Sequence, residues 1–260
     1  MVSVIIRTKD RERFLARALD SVAAQTHQDL EVVLVNNALQ PLSLIKKYPF
    51  PISIVEGQGT FSLAAAINAG IQRAQGNLIA LLDDDDTWDP GYLSNHVGFL
   101  KDHPECAGSA SLTEIRLEEI RPDGDVLLSS KPFNHHCCTR LSCLLYHNRF
   151  TTNAFVYRKE EAMRVGLYDV SLNELEDWDF NIKMAIRYRI GALKGYWSRY
   201  HKRPKAEGTQ GNTSMERHLQ ADRIIRMRIL GNPEISIHMK AYAMACWGLV
   251  LFKRVLKGRK

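Results

Sequence analysis

Leu78-Ile79-Ala80-Leu81-Leu82-Asp83-Asp84-Asp85-Asp86-Thr87-Trp88-Asp89-Pro90 sets a short apolar run directly before four successive aspartates. The apolar half reads as a buried strand. The aspartates cannot follow it into a packed core, because each carboxylate would have to leave water unpaired. They belong at the strand's end, where a dense anionic edge suits a divalent cation, which takes hard oxygen ligands and can carry a diphosphate. Open α/β sheets bind ligands just outside the carboxyl ends of their strands. The plainer alternative is a solvated acidic turn, against which stands the mutual repulsion of four carboxylates aimed at one place.

The neighbouring segments fit such a sheet. Residues 2–6 read as a strand, and residues 12–25 as a helix with Phe14, Leu15, Ala18, Leu19 and Val22 on one face. Residues 30–35 form a second strand ending at Asn36-Asn37. Pro41 opens a short helix, and residues 52–55 make a third strand. Gly57 and Gly59 break the chain before a helix over residues 61–74, which Gly76 ends. Residues 78–82 are then the fourth strand. Near-continuous apolar strands alternating with helices predict a parallel sheet covered on both faces. Residues 1–103 are therefore expected to be a nucleotide-binding half.

Beyond His103-Pro104 the pattern turns mixed. Strands are expected over residues 107–117 and 125–128, joined by the Pro122-Asp123-Gly124 turn, and over residues 155–157 and 191–200. A helix is expected over residues 173–188. Residues 104–203 read as an acceptor-side layer of the same domain, so the domain runs over 1–203. Residues 204–260 form a helical extension: a polar, mobile stretch over 203–213, then a basic helix over 215–230. Residues 241–252 carry no formal charge and precede Lys253-Arg254 and Lys257-Gly258-Arg259-Lys260. Twelve residues span about 18 Å of helix, short of a hydrocarbon core of about 30 Å. Two readings stay open, a helix lying on an anionic membrane surface and a helix packed on the body.

With 45% hydrophobic and 25% charged residues, 260 residues make an ordinary globular chain with a sizeable core. Five cysteines are an odd set and no disulfide framework, which points to a reducing compartment. The chain enters a strand at once, without the pattern of a signal peptide. The expected location is the cytoplasm, with peripheral contact at the cytoplasmic face of a membrane. A net charge of +6 permits an anionic substrate, membrane or nucleic acid. Nucleic acid is set aside, because the basic residues are scattered rather than striped with aromatics. His135-His136-Cys137-Cys138, Cys143 and His147 read as an ordinary loop, since adjacent residues rarely reach one tetrahedral ion.

Several segments in order resemble glycosyltransferase family 2, of the GT-A fold. Val2-Ser3-Val4-Ile5-Ile6-Arg7-Thr8-Lys9-Asp10-Arg11 and Ala18-Leu19-Asp20-Ser21-Val22-Ala23-Ala24-Gln25-Thr26 look like its opening strand, loop and helix. Ala65-Ala66-Ile67-Asn68-Ala69-Gly70-Ile71 is similar to the helix beneath the donor. Leu81-Leu82-Asp83-Asp84-Asp85-Asp86-Thr87-Trp88 looks like the metal motif, and Glu176-Asp177-Trp178-Asp179-Phe180 resembles the catalytic-base segment. The resemblance covers roughly residues 2 to 200. It implies an α/β fold with a Rossmann-like, mostly parallel central sheet flanked by helices. It also implies an inverting transferase that moves a sugar from a nucleoside-diphosphate sugar to a hydroxyl of a glycan or lipid-linked acceptor, in polysaccharide or lipopolysaccharide assembly.

The resemblance assigns roles by position. Asp177 would be the catalytic base, and Asp85, with Asp83 and His201, would hold Mn2+ or Mg2+. Arg7, Thr8, Asn36, Asn37, Asn68, Asp83 and Asp84 would bind the nucleotide-sugar. Asp86, Glu176 and Trp178 would meet the acceptor. An acceptor hydroxyl must lose its proton as the bond forms, and a positioned carboxylate accelerates such a step by about 10²–10⁴-fold. One departure is plain: the family usually has an acidic residue after its second strand, where this chain has the amides Asn36 and Asn37.

Two other classes share some of these letters. Asp83-x-Asp85-x-Thr87 also spells the haloacid-dehalogenase phosphatase signature, but that family carries it on its first strand, and here three strands precede it. A non-catalytic relative, keeping the fold as a binding module, is the other alternative. The amides Asn36 and Asn37 leave room for it, and the presence of both Asp85 and Asp177 argues against it.

Overall fold

The computed structural model describes residues 1–42, 47–121, 125–172, 174–203 and 215–257. Strand β1 (Val2–Thr8) leads through helix α1 (Glu12–Ala23) to β2 (Leu30–Asn36) and β3 (Ile52–Glu56), then through α2 (Leu63–Arg73) to β4 (Leu78–Asp83). These four strands are parallel, in the order β3-β2-β1-β4. Successive side chains of a strand point to opposite faces. Val4, Ile6, Val32 and Leu34 therefore meet Leu15, Ala18, Leu19 and Val22 of α1. Ile5, Val33 and Val35 meet Ala64, Ile67 and Ile71 of α2 on the other side. Burial on both faces is why these strands read as unbroken apolar runs.

Local chemistry fixes how α2 lies. Ser62 caps it, its hydroxyl accepting from the Ala65 N–H at 3.2 Å. The helix starts at Leu63 rather than 61 because Ser62 is extended. Gly70 lets the helix approach β1, since a Cβ there would stand 2.5 Å from Ile5 Cγ2.

The chain continues through β5 (Thr87–Trp88), α3 (Tyr92–Asp102), β6 (Cys106–Glu119), β7 (Val126–Pro132) and α4 (Leu141–Tyr146). A single 3₁₀ turn (Thr152–Ala154) follows, then β8 (Phe155–Arg158), α5 (Lys159–Arg164), α6 (Glu176–Arg187) and β9 (Arg189–Lys202). The last elements are α7 (Met215–Gly231) and α8 (Ile237–Lys257). β8 pairs antiparallel with both β4 and β6, and β9 runs parallel to β6. β5 and β7 add antiparallel edges to β9 and β6. The mixed half thus extends the same nine-stranded sheet.

Elements absent from the sequence reading are short or have a broken apolar face: β5, α3, α4 and α5. In α3 the buried face includes His96, whose Nδ1 lies 2.7 Å from Ser109 Oγ and which burial pushes down to about 3, a neutral core histidine. α1 ends at Ala23 rather than 25, and α6 begins at Glu176 rather than 173, with Leu175 left-handed at φ 58°.

The expected short helix after Pro41, at residues 43–46, the Pro122-Asp123-Gly124 turn, the polar stretch after Arg203 and the basic residues 258–260 lie outside the described residues. Among the described residues no helix is long and apolar enough to cross a membrane. α8 packs inward through Ala243 and Cys246, while Ile237 and Met244 are exposed. Cys138 and Cys143 form a disulfide, and Cys106, Cys137 and Cys246 are free.

Candidate active site

Register brings the strand ends to one edge: Arg7 lies opposite Asp83, Thr8 opposite Asn36, and Asn36 opposite Glu56. Beyond that edge the four aspartates turn apart. Asp83 accepts from Arg7 Nε at 2.9 Å. Asp84 accepts from the Thr8 hydroxyl at 2.7 Å and from Arg11 at 3.3 Å. Asp85 takes Arg11 at 3.1 Å and Arg203, and its backbone carbonyl takes Arg17 at 3.0 Å. Asp86 accepts from the His201 N–H at 3.0 Å and from Asn153 Nδ2 at 2.7 Å.

Even with these partners, two of the carboxyls are raised. Burial and the Asp85 charge push Asp84 up to about 6. Burial with the charges of Asp85 and Asp83 pushes Asp86 well above the carboxylate range.

Two cavities open on this edge and share Arg7, Leu63 and Asp83. The smaller, of roughly 230 Å³, is lined by Thr8, Arg11, Asn37, Phe61 and Asp84 among others. The larger, of roughly 600 Å³, takes in Asp86, Glu176 and Asp177 and reaches His218, Asp222 and Arg226 of α7. Asp85 lines neither.

Asp177 sits in the first turn of α6. Asn148 Nδ2 donates to its Oδ2 at 2.9 Å, and the Trp178 N–H donates to Oδ1 at 2.7 Å. Burial first, and the neighbouring Glu176 charge second, push the Asp177 carboxyl up to about 7. A carboxylate that gains its proton near neutrality is poised for general-base work. Glu176, which lines the same cavity, accepts from Arg7 at 3.2 Å.

Four expected site residues are engaged elsewhere. Asn68 gives both ends of its amide to the Tyr168 backbone, at 2.8 and 3.0 Å, bracing α2 rather than facing a cavity. Asn36 is buried and bonded to Gln40, Glu56 and Ala38. His201, expected as an exposed ligand, is 3% exposed, with Nε2 on Thr87 Oγ1 and Nδ1 on Glu118. Both ring nitrogens are thereby used. Trp178 touches the larger cavity but is 2% exposed, its Nε1 donating to the Leu144 carbonyl at 2.7 Å, so it packs rather than offering a stacking face. Asn37 does line the smaller cavity, and its amide holds Phe61 in place through both ends.

Sequence reasoning missed Arg11, Arg203, Asn148, Asn153 and the α7 residues. The basic run after β1 held a signal for Arg11. The others come from segments far away in sequence, and only the folded chain brings them to the aspartates.

Carboxylate oxygens are the ligands that Mg2+ and Mn2+ take, and Asp83 and Asp84 stand at the wall of the smaller cavity. The donor chemistry fits such a cation. Among the described residues, however, no three of Asp, Glu, His and Cys converge as a ready cage.

Comparison with known proteins bears on the family and the fold. The chain is 27% identical over 191 residues to the uncharacterized glycosyltransferase YwdF of Bacillus subtilis, covering 73% of this chain and 69% of YwdF. It is 25% identical over 201 residues to the amylovoran biosynthesis glycosyltransferase AmsE of Erwinia amylovora, covering 74% and 73%. The crystal structure of S. aureus TarS 1–349 in complex with UDP-GlcNAc superposes with a TM-score of 0.67 at 20% identity, over 93% of this chain and 70% of that one. The expected GT-A fold is the observed one. The family model for glycosyl transferase family 2 matches residues 3–154, and the chain belongs to that family.

Proposed function

We propose that the protein transfers a sugar from a nucleoside-diphosphate sugar to a hydroxyl of a glycan or lipid-linked acceptor, with inversion at the anomeric carbon. The observation that carries this reading is the placing of Asp177. Its carboxyl, held near neutrality, faces the same cavity as Asp83 and Arg7, which also wall the smaller pocket. The donor nucleotide would occupy the smaller pocket against Thr8, Asn37 and Asp84, with its sugar at the shared wall. The acceptor would enter the larger cavity.

The chemistry then follows from the residues. Asp177 takes the proton of the acceptor hydroxyl as its oxygen bonds to the anomeric carbon. The bond to the diphosphate breaks, and its electrons leave with the diphosphate. Attack from the Asp177 side, opposite the leaving group, inverts the carbon. Asp83 and Asp84, which wall the smaller pocket, would hold a divalent cation to offset the charge that gathers on the leaving diphosphate. Asp85, the ligand expected by position, lines neither cavity and pairs with Arg11 and Arg203. Arg7 fixes the shared wall, and Asn148 aims the base. The acidic wall of the larger cavity suits a neutral, polyhydroxylated acceptor better than an anionic one.

Polysaccharide or lipopolysaccharide assembly is the setting this chemistry suits, and AmsE, a relative named for amylovoran biosynthesis, supports it. Exposed Ile237, Tyr242 and Met244 on α8 support peripheral contact with a membrane surface. Residues 1–203 would be the catalytic domain and 204–260 its helical extension. The test is calorimetry with UDP, GDP, dTDP and CDP, with and without Mn2+, on wild type and Asp83→Ala. Mn2+-dependent binding of one nucleotide, lost in the variant, is expected. Binding of none would favour the non-catalytic module, and phosphate release from small phosphomonoesters would favour the phosphatase.

A further inference from the structure

Asn37 spends both ends of its amide on one residue. Its Nδ2 donates to the Phe61 carbonyl at 2.8 Å, and its Oδ1 accepts the Phe61 N–H at 3.1 Å. The Asn37 backbone N–H donates in turn to the Thr8 carbonyl at 2.9 Å, which ties the pair to the end of β1. Between the two residues the chain makes a tight turn. Gln58 and Gly59 are left-handed, at φ 49° and 74°, and the Thr60 N–H and hydroxyl both donate to the Gly57 carbonyl. Closeness requires the glycine at 57: a Cβ there would stand 2.6 Å from the Phe61 ring and 2.7 Å from Asn37 Oδ1. A carboxylate at position 37 could accept from the Phe61 N–H but would set a second acceptor against the Phe61 carbonyl. The amide, where the family usually has an acidic residue, is the group this clamp needs.

What the clamp holds is an aromatic side chain at the donor pocket. Phe61 is partly buried against the core and lines the smaller cavity. Among the described residues it is the one aromatic on that cavity, beside the apolar Leu63 and Ala66, whereas Arg7, Lys9, Asp83 and Asp84 carry charge. The two ends suit different parts of a nucleoside-diphosphate sugar. The diphosphate belongs with the charged groups, and the nucleobase is the part with a π face to lay on a ring. We infer that Phe61 is the stacking platform for the donor's nucleobase, and that Asn37 is a positioning residue acting through Phe61. This rests on the donor-pocket reading above and deepens it. The base is gripped by a pre-set ring, and the side chain at position 37 has no hydrogen bond left over to read it.

The experiment measures binding of UDP, GDP, dTDP and CDP to the full chain with Mn2+, on wild type, Phe61→Leu, Phe61→Tyr and Asn37→Asp. Calorimetry gives the affinity, and difference absorbance gives the loss of near-ultraviolet intensity that a stacked base shows. Phe61→Leu should bind the cognate nucleotide about tenfold more weakly and lose the absorbance change. Phe61→Tyr, which keeps the ring, should stay within about twofold of wild type and keep the change. Asn37→Asp should bind about tenfold more weakly at pH 8 and recover toward wild type by pH 5, because a protonated carboxyl regains one donor and one acceptor. Arg7, Lys9, Arg11, Asp83 and Asp84 share the pocket in both proteins, so the wild-type profile removes their part. If Phe61→Leu does not fold, Asn37→Asp decides: recovery on acidification beyond that of wild type supports the inference, and its absence overturns it. Phe61→Leu that folds and binds like wild type overturns the inference while leaving the donor reading intact, as does a wild-type complex with no absorbance change. Asn37→Asp that binds like wild type at pH 8 overturns the positioning role alone. Wild type that binds no nucleotide removes the donor reading and the inference with it.

Discussion

The guanidinium of Arg7, near the end of β1, donates to Glu176 at 3.2 Å across 169 residues of sequence. The same side chain donates through Nε to Asp83. One arginine therefore ties the shared wall of the two cavities to the turn that carries Asp177. This gives the base segment a fixed position relative to the sheet, and it makes the chemistry of Asp177 testable apart from donor binding.

Asp177→Asn should lower kcat by about 10²–10⁴-fold, the usual span for losing a general base. Donor affinity should stay within about twofold, because Asp177 does not line the smaller pocket. Steady-state kinetics paired with nucleotide calorimetry checks both.

Activity should fall on the acid side with a midpoint near the value of about 7 to which burial and Glu176 push Asp177. The sign is fixed by the role: the base must be deprotonated, so the rate is lost as pH drops through that value. Glu176→Gln removes the second of the two causes, so the limb should move to lower pH. A pH profile of kcat/KM on both proteins reads this, and an unmoved limb would sink the assignment of the base.

The raised carboxyl also bears on stability. A group that holds its proton more tightly folded than unfolded contributes stability that is full below its unfolded pKa and is lost progressively as pH rises from that value through the folded one. From pH 5 to pH 8, Asp177→Asn should therefore gain on wild type, by roughly 5 °C in Tm at the upper end. Parallel melting curves across that range measure it.

Asn153 is 1% exposed, donates to Asp86 at 2.7 Å, and offers its carbonyl to Trp88 Nε1 at 2.7 Å. Asn153→Ala leaves a buried carboxyl short of a donor, at a cost of about 1–3 kcal/mol. A Tm lower by roughly 5 °C is expected, read by calorimetry.

The half built on β1 to β4 was legible because its signals are local. Apolar runs name the strands, a 3.6-residue stripe names α1, and Asp83 to Asp86 name the edge. The Glu176-Asp177 segment stands in the first turn of α6, and Asp177 lines the larger cavity. The partners of these residues were not legible. Arg203 reaches Asp85 from 118 residues away, and Asn153 reaches Asp86 from 67, and no local pattern encodes such a meeting. Asn68 and His201 were misplaced for the converse reason. Each carries a polar group that looks available in the sequence, and the fold turns it to Tyr168, or to Thr87 and Glu118, instead.

α7 adds no strand to the sheet, yet its His218, Asp222 and Arg226 reach the larger cavity. Under the proposed reading, the two substrates are met by parts of the chain that need not change together. The donor's pocket is written into the ends of packed strands, where a substitution disturbs the core. Part of the acceptor's is written on a single helix, where His218 stands half-buried at the cavity while Ile225 and Ile229 hold the core. Lineages and engineers alike can then redirect what is decorated without relearning which sugar is carried, and a chimera exchanging residues 215–257 with a relative is the direct way to do so.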